Sequence, residues 1–342
     1  MKRLYLLFAL YFFSCTPKSE DSFTYIPLDF PTSKNVEVSK LCNDYLFSAT
    51  LNMHIVDSVI LMRAHSVDNN HQLQVIDIKS KKHIASLGTL GRGAGELNDY
   101  STFAINPKTN EFYAESQNKY VIYDLNKVIS GQPNYLKEQG TFKNRNTTHD
   151  IYYLTNDEIL HLGARPRFII TSKNMQDTLG RYDERHYISN FFAEHEDPDF
   201  QRRYMGNNSL FTVKPDKSKF VNSMRNGFYM EIFNIKGNKI TPTNECRFFE
   251  AKMKDEFVPL EGCIAGPLLL RSTDKYIYVL YSTDLEYAKN MQLGVFDWNG
   301  KEVKNYVLDK FAYNFDVTPD DKGCYCWVHE DDDDYLGYFD LK

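Results

Sequence analysis

From residue 23 onward the chain is a succession of short runs in which apolar and polar residues alternate, broken at close intervals by Pro, Gly, Asn and Asp. A period of two predicts half-buried strands, and the breakers predict tight turns between them. One stretch reads strand by strand. Ser209–Val213 is a strand, Pro215-Asp216-Lys217-Ser218 a turn, Phe220–Met224 a strand and Arg225-Asn226-Gly227 a turn. Phe228–Ile235 follows, then the turn Lys236-Gly237-Asn238, and Lys239 opens a fourth strand. Pro and Gly or Asn stand where turns want a fixed or a positive φ. The stretch Thr102–Ile105, Glu111–Ser116, Lys119–Leu125 reads likewise.

This unit recurs. An apolar-aromatic pair followed by Asp or a substitute appears at Val75-Ile76-Asp77, Ile122-Tyr123-Asp124, Ile169-Ile170-Thr171, Ile232-Phe233-Asn234, Val295-Phe296-Asp297 and Tyr338-Phe339-Asp340. The spacings are 47, 47, 63, 63 and 43 residues. A period of about 40–50 residues made of strands predicts a β-propeller with one four-stranded blade per repeat. The expected fold is therefore all-β: a six-bladed β-propeller of four-stranded antiparallel blades spanning residues 23–342. The sixth repeat shows only three strands, Ala312–Val317, Gly323–His329 and Tyr335–Leu341. An open ring would expose strand edges, so a strand from the start of the chain is expected to close it. Phe23–Phe30 alternates and is the candidate, its Pro27 being tolerable on an edge.

The start of the chain has a different pattern. Lys2 and Arg3 precede an unbroken apolar run, Leu4–Phe13, ten residues long. That is half the roughly 20 residues a spanning helix needs and fits the core of a secretory signal. Ser14-Cys15 ends the run, and polar Thr16–Asp21 follows. The arrangement resembles a bacterial lipoprotein signal, which implies removal of residues 1–14, lipidation of Cys15 and a tether over residues 15–22. Thr16 after the cysteine, by resemblance to sorting rules, implies the outer membrane, facing the periplasm or the surface. The lipid would be the only membrane contact.

The six repeats, this start and the segment Leu87-Gly88-Thr89-Leu90-Gly91-Arg92-Gly93-Ala94-Gly95-Glu96-Leu97 together resemble the TolB-like six-bladed propeller lipoproteins of Gram-negative bacteria. Ala94 stands where that family often has proline. The resemblance implies a fold and an address, not an activity. Gly91-x-Gly93-x-Gly95 also resembles a phosphate loop, but such a loop opens a helix, whereas Asn98–Ser101 leads into a strand. The expected role is a backbone crossing between blades, where side chains would collide.

Composition narrows the chemistry. The formal charge is −6, and −8 once Lys2 and Arg3 are removed with the leader, 38 cations against 46 acids. That argues against a nucleic-acid surface. Six cysteines in 342 residues are too few for a disulfide scaffold. Cys324-Tyr325-Cys326 reads as core packing beside Val328, with a metal or redox pair as the alternative. His329-Glu330 and Asp331–Asp334 form an acidic run without the glycine of a calcium loop, and a solvated hairpin tip is expected. No metal site or cofactor is expected, and neither a Gly-x-Ser-x-Gly elbow nor a His-Glu-x-x-His pair occurs. Asp183–Asn208 lengthens the fourth repeat; Tyr187, Ile188, Phe191 and Phe192 lie at helical spacing within it. It reads as a short helix over the blade edges, or as a lid or partner contact.

In a propeller the A–B and C–D turns share one face, and the B–C and D–A connections share the other. Here the A–B and C–D turns are short, and the long polar connections fall on the B–C/D–A face. Long loops carry function more often than tight turns. The ligand is expected there, over the channel mouth, read by His71, Arg92, Arg165, Arg167 and Arg185, with Lys217 and Lys236 marking the face not expected to bind. The expected function is non-enzymatic binding or scaffolding, by a monomer, of an envelope protein, peptide or glycan. The alternative is a glycan lyase, hydrolase or lactonase acting in the central channel.

Overall fold

The computed structural model describes residues 25–42, 52–64, 71–97, 102–106, 108–116, 119–141, 148–163, 167–182, 209–224, 227–250, 253–254, 258–259, 266–283, 291–331 and 333–342. Two strands open it, β1 (Ser33–Val36) and β2 (Ser39–Cys42). The first blade is β3 (Asn52–Val56), β4 (Val59–Arg63), β5 (His71–Asp77) and β6 (Lys82–Thr89). The second is β7 (Thr102–Asn106), β8 (Glu111–Ser116) and β9 (Lys119–Asp124), then helix α1 (Leu125–Ile129) and β10 (Leu136–Thr141). The third is β11 (Thr148–Tyr153), β12 (Glu158–Gly163), β13 (Phe168–Ser172) and β14 (Thr178–Tyr182). The fourth is β15 (Ser209–Val213), β16 (Lys219–Met224), β17 (Phe228–Lys236) and β18 (Lys239–Phe249), followed by a small hairpin, β19 (Met253–Lys254) and β20 (Val258–Pro259). The fifth is β21 (Gly266–Ser272), β22 (Tyr276–Ser282), β23 (Met291–Asp297) and β24 (Glu302–Leu308). The sixth takes β25 (Phe311–Val317), β26 (Gly323–Glu330) and β27 (Asp333–Asp340) from the end of the chain. The expected six-bladed propeller of antiparallel blades is the observed fold.

Each blade holds its neighbours through alternation. On the fourth blade Phe220 and Phe233 face the third, while Val221, Met230 and Ile232 face the fifth. The Phe220 and Phe233 rings stack 4.7 Å apart, and Phe168 of the third blade meets Phe220 edge-on at 4.7 Å. Truncating such a ring to alanine costs about 3–5 kcal/mol. Most of the 24 Phe and 24 Tyr residues serve a fold whose core is distributed over such inter-blade layers.

The ring does close through the start of the chain, but not through Phe23–Phe30. Residues 25–30 form no strand. Pro27 and Pro31 hold this segment away from a ladder, since each lacks an N–H and restricts the residue before it. Instead Ile26 N–H donates to the Arg247 carbonyl at 2.8 Å, and Phe30 packs edge-on against Phe296 at 5.3 Å. The closing strand is β2, free of proline, which pairs antiparallel with β27 and completes the sixth blade. Just before it, β1 adds to the outside of the fifth blade, parallel to β24. Val38, between them, donates its N–H to Asp309 Oδ1 at 2.9 Å and rests on Gly337, where a Cβ would come within 2.6 Å of it.

One C–D connection departs from the short turns expected. In the second blade it carries α1, capped by the Asp124 carboxylate accepting from the Asn126 and Lys127 amides. The sequence pattern instead runs the strand through this aspartate to Leu125.

Closure predicts two different truncations. Removal of residues through Phe30 should lower the melting temperature through loss of the Phe30–Phe296 contact while unfolding stays cooperative. Removal through Cys42 should strip the outer strand from the sixth blade and abolish the cooperative transition. Identical thermal melts for the two truncations would refute the assignment of β2 as the closing strand.

Candidate functional site

The six innermost strands, β3, β7, β11, β15, β21 and β25, surround a central channel. It holds a cavity of about 340 Å3 to which each of these strands contributes residues. Its lining includes Asp57, Pro215, Lys217, Asp274 and Pro319, all in A–B turns. The cavity therefore lies toward the A–B end of the channel, opposite the face to which loop length points. Most of the long B–C and D–A connections lie outside the described residues.

At depth the cavity is lined by a charged network that crosses three blades. Arg271 on β21 donates through Nη1 to the Leu270 carbonyl at 2.8 Å and through Nη2 to the Met53 carbonyl at 2.8 Å and to Asn52 Oδ1. Its Nε lies 3.8 Å from Asp316 Oδ1 on β25. Asp316 accepts the Ile55 amide at 2.7 Å and the Val317 amide at 2.8 Å. These groups tie the fifth and sixth blades to the first. Every charge in the network is engaged by backbone or by its counter-charge, as a buried ion requires.

His54, on β3, is the titratable group of the network. Its Nδ1 lies 3.8 Å from Asp316 Oδ2, too far for a hydrogen bond, and its ring meets Phe103 edge-on at 5.4 Å. Burial first, and the Arg271 charge second, hold the imidazole well below its ordinary value and therefore neutral. Burial pushes the Asp316 carboxyl up, against the pull of Arg271 and the two amides.

Around this floor the walls are largely apolar: Ile55, Phe103, Ile105, Ile151, Val213 and Val317. The hydroxyls among them are occupied, Thr212 Oγ1 lying 3.1 Å from Ser272 Oγ, which donates to the Val213 carbonyl at 3.0 Å. Charge returns at the mouth with Lys217, Asp57 and Asp274. None of these three side chains forms an ion pair among the described residues. Lys217 sits at φ +63°, a left-handed conformation that costs most side chains about 1–2 kcal/mol and suits Asn, Asp and Gly. The equivalent turn of the sixth blade shows the preferred choice: Asp321 at φ +59°, its N–H bonded to Thr318 O as that of Lys217 is to Lys214 O. Burial foremost, then the Lys108 charge, lower the Lys217 amine to about 8, with Asp216 and Asp274 pulling the other way.

Residues 29–320 match the family described as TolB-like 6-blade propeller-like. The chain belongs to that TolB-like family. No match was found among curated protein sequences. Among solved structures, the RRP9 WD40 repeats align with a TM-score of 0.51 at 8% identity, covering 92% of this chain and 99% of theirs. The β-propeller domain of Cps50 (Swd1) from Myceliophteria thermophila gives 0.50 at 8% identity, over 88% of this chain and 99% of that one. U3-55K gives 0.50 at 8%, over 89% and 98%. At such identities the likeness is one of fold.

The residues singled out from sequence are dispersed on this TolB-like propeller. Neither His71, half-buried at the start of β5, nor Arg92, exposed in the glycine-rich crossing, nor Arg167 lines the channel cavity. Arg167 is not available to a ligand. It is 7% exposed, paired with buried Glu231 across the third and fourth blades, and lies over the Phe168 and Phe233 rings at 5.0 and 5.8 Å. Arg165, Arg185, Cys15 and the 183–208 insertion lie outside the described residues. Lys217 and Lys236, set aside as the non-binding face, both line cavities: Lys217 that of the channel, Lys236 an open cleft of about 680 Å3 between β14 and β18, with Arg181 and Lys239. Arg271 and Asp316 escaped sequence reading because each is one charged residue inside an apolar strand; that placement was itself the available signal.

The other motifs resolve into structure. Gly93 N–H donates to the Glu96 carboxylate, and a Cβ at Gly91 would fall 2.1 Å from the same side chain, so the glycine run wraps its own acid. Tyr123 and Lys119 of the second blade bind the carbonyls of Gly95 and Gly93 at 2.9 and 3.0 Å, and the crossing docks there. Cys324 and Cys326 are buried free thiols packed with Val328, and burial pushes both above the ordinary range. At the sixth-blade tip His329 Nδ1 lies 2.8 Å from Asp334 Oδ1 and Glu330 pairs with Lys310. Among the described residues no three His, Cys, Asp or Glu side chains group around a common metal position.

Two outcomes test the network. Arg271→Met leaves Asp316 buried without its counter-charge and should destabilise the protein by about 3–5 kcal/mol; adding Asp316→Leu should recover part of that loss. A double variant no better than the single one in urea unfolding would show that the pair is not coupled. His54 sets the pH dependence. An unfolded histidine takes up a proton below about pH 6.5, whereas the folded one resists it to well below that value. Its contribution is thus retained above pH 6.5 and lost progressively as pH falls beneath it. Between pH 7.5 and 5.5 the melting temperature of His54→Gln should fall less than that of the wild type. Parallel curves would exclude His54 as the cause.

Proposed function

We propose that this TolB-like propeller is a cell-envelope lipoprotein that binds an envelope protein, peptide or glycan without transforming it, and that the ligand, or one end of it, enters the channel from the A–B mouth. The observation that carries the binding reading is the arrangement of charge in the cavity. Arg271 and Asp316 are consumed in joining blades, and the neutral His54 is not hydrogen-bonded to Asp316, so the floor offers no aligned acid, base or nucleophile. What remains is an apolar waist beneath a charged rim, a layering typical of binding pockets, where a few polar groups orient a largely apolar contact. The address rests on Leu4–Phe13 and Ser14-Cys15, and the family supports it only through its resemblance to envelope lipoproteins.

The experiment has two arms. Purified protein exposed to a small-molecule extract of the cell envelope should carry a non-covalent adduct in native mass spectrometry, and Ile55→Trp or Ile105→Trp, filling the cavity, should remove it. An adduct unchanged by both plugs, or none at all, would overturn the channel as the site. In cells, Cys15→Ala should release the protein from the membrane fraction or stall its processing; unchanged fractionation and cleavage would overturn the anchor.

A further inference from the structure

The channel mouth carries more information than its volume. The charged side chains lining the cavity are two cations, Lys217 and Arg271, and three carboxylates, Asp57, Asp274 and Asp316. With His54 neutral the lining sums to −1, by 2 − 3. A purely acidic ligand, the kind that surface arginines invite, would enter against that balance. Arg271 and Asp316 are already engaged at the floor, so the groups left to meet a ligand are one ammonium and two carboxylates, on the A–B turns of the fourth, fifth and first blades. Beneath them the walls are apolar, and the volume of about 340 Å3 is at the small end of ligand sites, which run from about 300 to 1,000 Å3.

From this arrangement we infer that the channel pocket recognises a small zwitterion with an apolar body: the paired amine and carboxylate of an amino acid or short peptide at the rim, its side chains in the waist. The inference rests on the channel being the binding site. Lys217 takes the ligand carboxylate; Asp57 and Asp274 take the ammonium. The floor supplies the neutral His54 ring, neither nitrogen of which has a hydrogen-bond partner among the described residues, for a polar group at the far end.

A second observation singles out Lys217. Its A–B turn places it in a left-handed conformation that the matching turn of the sixth blade fills with Asp321, and the turns of the first and second blades use Asp57 at φ +50° and Asn110 at φ +50°. Lysine is the exception among these A–B turns, although Lys81 at φ +58° and Met175 at φ +54° adopt the same conformation in C–D turns, and at Lys217 it is also partly withdrawn from water. An outlier of this kind points toward a role for the side chain, since any of the preferred residues would make the same turn at lower cost. Desolvation also strengthens what the amine gains from an entering carboxylate, because the interaction forms in a medium less screened than bulk water.

Isothermal titration of the mature protein with the dipeptide leucylphenylalanine tests this, alongside its N-acetyl form, its C-terminal amide and free phenylalanine. The free dipeptide should bind saturably, and each capped form should bind at least tenfold more weakly. Free phenylalanine separates an amino-acid source from a peptide one: comparable affinity would assign the recognition to the zwitterion alone, and weaker affinity to a zwitterion with a longer body. Lys217→Asn should make acid and amide bind alike while leaving the melting temperature equal or higher, because asparagine suits the turn. Asp57→Asn with Asp274→Asn should erase the penalty for acetylation. If the capped forms bind as tightly as the free one and Ile55→Trp removes both, the channel still binds but zwitterion recognition is wrong. If no form binds, zwitterion recognition is likewise overturned, and the envelope-extract experiment alone judges the channel.

Discussion

A propeller is stable only as a closed ring, and here closure depends on contacts at two radii of the same seam. At the outside, β2 completes the sixth blade and β1 reinforces the fifth. At the inside, Arg271 and Asp316 join the fifth and sixth blades to Asn52, Met53 and Ile55 of the first. The two fastenings differ in kind. The outer one is a backbone ladder and tolerates many sequences. The inner one is ionic and specific: a buried charge is tolerable only while its partners stay in place, so any blade displacement that separates Arg271 from Asp316 carries an electrostatic penalty besides the lost packing. The apolar layers between blades, by contrast, are non-directional and set affinity between neighbours rather than register around the axis.

The same molecule holds a second buried pair, Arg167 with Glu231, and the comparison clarifies what each does. Arg167 and Glu231 lie between adjacent blades, both buried, with the guanidinium over two phenylalanine rings. Among the described residues Arg167 Nη1, Glu231 Oε1 and both amide atoms of neighbouring Asn222 have no hydrogen-bond partner. Such a cluster gives little net stability and fixes one packing of the third blade on the fourth. The Arg271 network likewise leaves Arg271 Nε without a hydrogen bond among the described residues, but it spans three blades instead of two.

How much of this was legible in the sequence follows from the range of the forces involved. Strands and hairpins were legible because alternation and turn chemistry are local: Ser209–Val213, Phe228 onward and Gly323 onward begin where the pattern said. The closing strand was legible as a necessity, the sixth repeat being one strand short, but not as a location. Phe23–Phe30 shows the better alternation, yet two prolines and the pull of Phe296 and Arg247 keep it out of a ladder, while Ser39–Cys42, with little pattern of its own, is in reach of β27. Tertiary context overrides local preference most easily in segments of weak pattern. The channel residues were not legible, because Arg271, Asp316 and His54 are brought together from three blades and no spacing along the chain encodes that convergence. Loop length points to the opposite face, since it reports where insertions are tolerated, whereas the described cavity is lined by inner strands and short A–B turns.

A pocket assembled from all six inner strands has a thermodynamic consequence that a pocket within one blade would lack. Its geometry exists only in the closed ring, so a ligand held there binds the native state and not a ring opened at the seam. Linkage then adds the binding free energy to closure: at a ligand concentration 100 times Kd the gain is about 2.7 kcal/mol, comparable with the loss expected from breaking the inner clasp. Ligand and clasp act on the same equilibrium within one cavity, the clasp just beneath its rim and the ligand at it. Lys217 is the residue at which these demands conflict, its backbone held left-handed at the expense of stability so that an ammonium stands at the rim. A propeller whose ring is stabilised by what it binds can retain a strained residue at its mouth, because occupancy offsets in the bound state what the turn loses in the free one.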